Sequence, residues 1–156
     1  MTPEQKLASL GLVLPTVPKP IANYVPFKLD GATIYLAGQG PRGPKGVLIA
    51  GKVGRDTTIE QAYGHARSIG LQLLAAANAA AQSVGADLAN VEVLKVLGMV
   101  NALPDFTDHP KVINGCSDLF VEILGERGKH ARSAVGMASL PGNIPVEIEA
   151  IMRIVR

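Results

Sequence analysis

The stretch from Thr57 to Gly85 constrains this chain more than any other. Ile59, Ala62, Ala66, Ile69, Leu73, Ala76, Ala77 and Ala80 recur at the spacing of one helical face. Thr57 and Thr58 stand three residues before Glu60 and Gln61, the pattern of a capping box, and Gly85 supplies a C-terminal stop. A helix with so many alanines on its buried side can lie close against a sheet, and strand-like segments flank it. Tyr24–Leu29 meets an Asp30-Gly31 turn and is followed by Ala32–Ala37, a hairpin signal. A Gly/Pro-rich loop occupies 38–46, and Val47–Ala50 reads as a further short strand. Val91–Leu103 reads as another strand, broken at Pro104.

A second helix begins near Thr107 or Asp108, with Pro110 tolerated in its first turn. Val112, Ile113, Cys116, Phe120, Ile123 and Leu124 make its apolar stripe, and Gly125 ends it. Residues 131–139 and 144–155 then read as a closing strand pair around Leu140-Pro141-Gly142-Asn143. The order β-β-(β)-α-β-α-β-β predicts an α+β fold, one sheet with two helices packed on a single face. The opposite face must be covered, and a second subunit is the natural cover. Residues 1–20, a short amphipathic start from Pro3 to Leu10 and a proline-rich lead-in, read as an N-terminal extension before a single domain spanning 21–156.

Composition narrows the function classes. At 156 residues and 47% hydrophobic, the chain can build one core. A net charge of +2 with scattered Lys and Arg, 4% aromatics and no Trp give no nucleic-acid footprint. Cys116 is the single cysteine, so no intramolecular disulfide forms, and it reads as core. His65, His109 and His130 show no metal-ligand spacing, and no metal or organic cofactor is implied. The polar N-terminus and the absence of a run of about 20 apolar residues point to a cytoplasmic protein. Gly38-Gln39-Gly40-Pro41-Arg42-Gly43 begins like a dinucleotide loop, but Pro41 and the lack of a following helix argue against that reading.

Two polar residues stand out in the closing strands. In Val146–Met152, Glu147 and Glu149 share a face with Ile151, which is therefore not simply solvated. Arg132 lies in the preceding strand. A guanidinium that forks onto a carboxylate, beside a glutamate that moves protons, suits hydrolysis of a small carboxylated substrate. On spacing alone, a cross-strand Arg132–Glu147 pair serving structure explains the same residues.

The order Ala131-Arg132-Ser133-Ala134-Val135, Leu140-Pro141, then Val146-Glu147-Ile148-Glu149-Ala150-Ile151 resembles the C-terminal signature of the Rid family (reactive intermediate deaminase; YjgF-like, L-PSP). Gly38-Gln39-x-Pro41, Asp105-Phe106, Asn114 and Tyr24 are similar to further family positions, so the likeness covers about residues 20–155. It implies a chorismate-mutase-like homotrimer with clefts between subunits and no cofactor. It also implies that Arg132 clamps the substrate carboxylate and that Glu147 activates water and passes protons. Gly38 and Ala134 would line the pocket through their backbones, with Tyr24 and Asn114 at its rim. The implied reaction hydrolyses small enamine or imine acids, such as 2-aminoacrylate, to 2-oxo acids and ammonia. A trimer that only binds small carboxylic or 2-oxo acids is the alternative, and an endoribonuclease the weaker third. Ala134 stands where many members carry cysteine. With a longer first helix and an altered 125–130 loop, the chain is similar to a less-characterised subgroup.

Overall fold

In the computed structural model, which describes residues 1–20 and 22–156, the chain begins with helix α1 (Pro3–Ser9) and a hairpin of β1 (Phe27–Asp30) and β2 (Thr33–Gln39). Helix α2 (Ile59–Gln82), strand β3 (Val91–Asn101) and helix α3 (His109–Leu124) follow, then β4 (Ala131–Met137) and β5 (Val146–Ile154). The five strands form one mixed sheet in the order β1-β2-β5-β3-β4. β4 runs parallel to β3, and every other pairing is antiparallel.

The capping signals act as the sequence dictates. Thr58 accepts the backbone N–H of Gln61 at 3.1 Å, and the Gln61 side chain accepts that of Thr58 at 2.9 Å. Gly31, at φ +57°, makes the hairpin turn. Ile34, Leu36, Val96, Val100, Ile148, Ala150 and Met152 point into the helix-covered core.

Three findings differ from the sequence reading. The helical layer holds three α-helices rather than two. A capping box between Thr2 and Gln5 starts α1, and its Pro3 and Leu7 are buried, while Leu12, Leu14 and Val17 pack on the core behind it. Val47–Ala50 is not a strand. Gly43 N–H bonds the Val47 carbonyl and Ile49 N–H the Pro41 carbonyl, so this segment closes on its own loop rather than on the sheet. Finally, β4 and β5 are not neighbours, because β3 lies between them.

Glycine sets the helix–helix approach. A Cβ on Gly115 in α3 would lie 2.1 Å from the Tyr63 carbonyl oxygen of α2, a backbone contact that no rotamer change relieves. Around it Arg67 pairs with Glu122 at 2.6 Å and the Tyr63 hydroxyl donates to Asp118 at 2.8 Å. Gly115→Ala should therefore destabilise the protein by about 2–3 kcal/mol in denaturant melts. Gly64→Ala, on the same helix pair but with open space at its Cβ, should gain about 0.5–1 kcal/mol. Equal effects at both positions would refute the close-approach account.

Candidate functional site

Strand register decides which side chains can meet. Paired residues on adjacent strands point to one face, and successive residues alternate. Arg132 pairs with Val96, which pairs with Ala150, so Arg132 is on the helix-facing side. Glu147 pairs with Met99, three residues further along the same strand, and lies on the opposite face. Two strand spacings and three residues put their Cα atoms on the order of 14 Å apart. A direct Arg132–Glu147 pair within one chain is thereby excluded, and the candidates divide into two clusters.

The first cluster surrounds Glu147. A cavity of about 310 Å³ is lined by Tyr24, Gly38, Gln39, Ile144 and Glu147, with Pro18 and Lys19 of the lead-in as another wall. Gly38 sits where the β2–β5 register shifts. A Cβ there would approach Glu147 Oε2 to 3.0 Å, so the glycine leaves the carboxylate its space. Loss of hydration raises the pKa of the half-buried Glu147, and the charge of Glu149, two residues along the same face, raises it further. Tyr24 is 58% exposed at the cavity rim. Arg42 also lines the cavity, with its Nη1 donating to the Gly46 carbonyl at 2.8 Å.

The second cluster surrounds Arg132 on the edge strand β4. Arg132 Nη1 donates to Asn114 Oδ1 at 2.9 Å and to Ser117 Oγ at 3.1 Å, both from α3. Ser117 Oγ is 2.9 Å from His130 Nε2, and His130 Nδ1 is 2.6 Å from the Gly128 carbonyl. A hollow of about 250 Å³ opens beside Ser117, Val121, Lys129, His130 and Arg132. Among the described residues no carboxylate pairs with Arg132. Ala134 follows on the same face, paired with Gly98 and only partly buried.

The structure thus gathers Tyr24, Gly38 and Glu147 in one place and Asn114 and Arg132 in another, with Ala134 one step along β4 from Arg132. Ser117 escaped the sequence reading, although its signal was present: it stands one helical turn after Asn114, on the same face. His130, which shows no metal-ligand spacing in the sequence, takes part in the Arg132 cluster. Cys116 is fully buried, and burial pushes its thiol pKa far up, in keeping with a core role. Among the described residues no group of three or more His, Cys, Asp or Glu could hold a metal ion. Among the described residues no helix is long and apolar enough to cross a membrane.

Comparison with known proteins places the fold. A family model described as "YjgF/chorismate mutase-like, putative endoribonuclease" matches residues 4–148. Protein TCP17 of Trypanosoma cruzi is 36% identical over 150 residues, covering 95% of this chain and 91% of that protein. The crystal structure of Atu1372 from Agrobacterium tumefaciens, of unknown function, superposes with a TM-score of 0.86 at 41% identity, covering 98% of this chain and 92% of the other. A protein of Shewanella oneidensis described as a putative endoribonuclease gives a TM-score of 0.90 at 29% identity, covering 99% and 100%.

The raised pKa means that the fold holds the Glu147 proton more tightly than the unfolded chain does. That contribution to stability is present below the unfolded value and lost as pH rises through the folded one. Glu149→Gln removes one of the two causes, so the Glu147 carboxyl should titrate at lower pH in this variant when followed by NMR. An unchanged midpoint would show that Glu149 exerts no such influence.

Proposed function

Because the chain belongs to the YjgF/chorismate mutase-like (Rid) family, we propose that it is an enamine/imine deaminase whose site forms where two copies meet in a homotrimer. The observation that carries this reading is the division of the two clusters. A guanidinium with no carboxylate partner among the described residues lies on the helix side of an edge strand. A carboxylate of raised pKa lines a cavity on the opposite sheet face. One chain cannot bring both onto one small molecule, whereas two chains can. The face that the helices leave uncovered presents Tyr35, Val135 and Ile151 beside Glu147 and Glu149, with Tyr35 47% and Val135 37% exposed. Its apolar content supports contact with another subunit.

In the proposed reaction, Arg132 of one subunit holds the substrate carboxylate, with Asn114 beside it. Glu147 of the neighbouring subunit takes a proton from water as the oxygen attacks the imine carbon. The proton passes to the nitrogen, giving a carbinolamine; Glu147 then carries the hydroxyl proton to the amino group as the carbon–nitrogen bond breaks, so that ammonia leaves and a 2-oxo acid remains. An enamine first tautomerises to the imine. Positioned proton transfer of this kind is commonly worth about 10²–10⁴-fold. A glutamate held above its ordinary pKa is the better base once ionised, and an approaching guanidinium favours the ionised form. The net charge of +2 and the scattered cations favour a small anionic substrate over RNA.

Ammonia release from freshly generated 2-aminoacrylate tests the proposal. Wild type should accelerate release, while Arg132→Ala and Glu147→Gln should each fall to about the uncatalysed rate. Co-expressing the two variants should restore about a quarter of wild-type activity, because random hybrids rebuild that share of intersubunit sites. No recovery would place the site within one chain, and a monomer by sedimentation would remove the intersubunit site. An inactive wild type that still binds 2-oxo acids through Arg132 would establish a binding protein instead.

A further inference from the structure

We propose that Ser117 and His130 are positioning residues for Arg132, fixing which edge of its guanidinium meets the substrate carboxylate. The inference rests on the deaminase reading and deepens it. Arg132 donates twice through Nη1, to Asn114 Oδ1 at 2.9 Å and to Ser117 Oγ at 3.1 Å. Nη1 carries two hydrogens, and both are thereby committed. The end-on fork, which needs one hydrogen from each terminal nitrogen, is no longer available. The side-on fork of Nε–H and Nη2–H remains for a bidentate carboxylate.

The direction of each hydrogen bond behind Arg132 follows from chemistry. The Gly128 carbonyl can only accept, so His130 Nδ1, at 2.6 Å, carries the hydrogen. In the neutral ring Nε2 then holds the lone pair, and it accepts the Ser117 hydroxyl at 2.9 Å. The hydroxyl, having given its hydrogen to His130, presents oxygen to Arg132. The chain Arg132→Ser117→His130→Gly128 has one polarity throughout. Partial burial, with the Arg132 charge adding to it, holds the His130 pKa below its ordinary value against the Gly128 hydrogen bond.

The base of this chain is rigid. Phe120 meets the His130 ring edge-to-face at a centroid distance of 5.8 Å. A Cβ on Gly128 would lie 2.2 Å from the Phe120 carbonyl oxygen, so the loop carrying the final acceptor is pressed onto α3. Ser117 and Asn114 come from successive turns of that same helix. The guanidinium is therefore held from one rigid element, which fixes its rotation as well as its location.

Affinity for pyruvate, a small 2-oxo acid, tests this in the intact protein by calorimetry, with kcat/KM read alongside. Ser117→Ala should weaken pyruvate binding about tenfold, the order of one hydrogen bond to a charged group. Ser117→Thr, which keeps the hydroxyl, should return to within about threefold of wild type. His130→Phe, which keeps a ring against Phe120 but cannot accept, should lose affinity, and His130→Gln should recover part of it. In an Arg132→Ala background, Ser117→Ala should change nothing further, since coupled groups are not additive. Equal losses in Ser117→Ala and Ser117→Thr, or full affinity in Ser117→Ala while Arg132→Ala fails to bind, would overturn the positioning role and leave the deaminase reading standing. Wild-type affinity in Arg132→Ala itself would instead overturn that underlying reading.

Discussion

Everything distinctive about this chain depends on β3 standing between β4 and β5. Because β4 is parallel to β3, the connection must cross the sheet, and α3 is that crossing. α3 can lie flat only because glycines clear its path. A Cβ on Gly98 would strike Ile113 at 2.5 Å, and one on Gly115 would strike the α2 backbone. The same packing that closes the core therefore delivers Asn114 and Ser117 to Arg132. The antiparallel return of β5 on the other side of β3 then displays Glu147 on the far face. The separation of the two clusters follows directly from the connectivity.

Much of this was legible in the sequence, and the missing parts share a cause. The capped α2, the Asp30-Gly31 hairpin, the Gly125 stop of α3 and the period of two in β5 are all local signals, and each appears in the structure. The candidate residues were likewise legible one at a time, through motif order. Which strands neighbour one another is not a local property. Residues 131–139 and 144–155 look like a hairpin because they are adjacent in sequence, yet β3 inserts between them. A sheet has period two, so one misplaced neighbour is enough to place Arg132 and Glu147 side by side instead of on opposite faces. Val47–Ala50 failed for a related reason: its apolar run suits a strand, but its backbone partners lie in its own loop.

Charge placement on the uncovered face carries the same logic. Glu147 and Glu149 stand two residues apart, and the Glu149 charge is one cause of the raised Glu147 pKa. Lys95, a cation on that face, donates to Ser133 at 3.3 Å rather than to either carboxylate. A lone chain thus leaves two like charges beside exposed Tyr35 and Val135, a costly arrangement if it were final. A guanidinium arriving from another copy would lower that cost and complete the site at once.

β3 also anchors the cavity wall that faces Glu147. Asn101, at the end of β3, is 1% exposed and reaches the Gly51 carbonyl, Asn143 Oδ1 and the Ile144 carbonyl through one amide nitrogen. Its Oδ1 accepts from Lys52 Nζ at 2.8 Å. These bonds fix Ile144, whose Cδ1 would lie 2.7 Å from a Cβ on Gly40. Leu48 joins that contact, with Cδ2 at 3.2 Å from the same point. The loop that failed to become a strand thereby serves as a wall through Leu48, held by its own Gly43–Val47 and Ile49–Pro41 backbone bonds, while Val47 stands exposed. Glu147 follows Ile144 by three residues, so the polar anchor at the end of β3 also sets where the carboxylate strand begins.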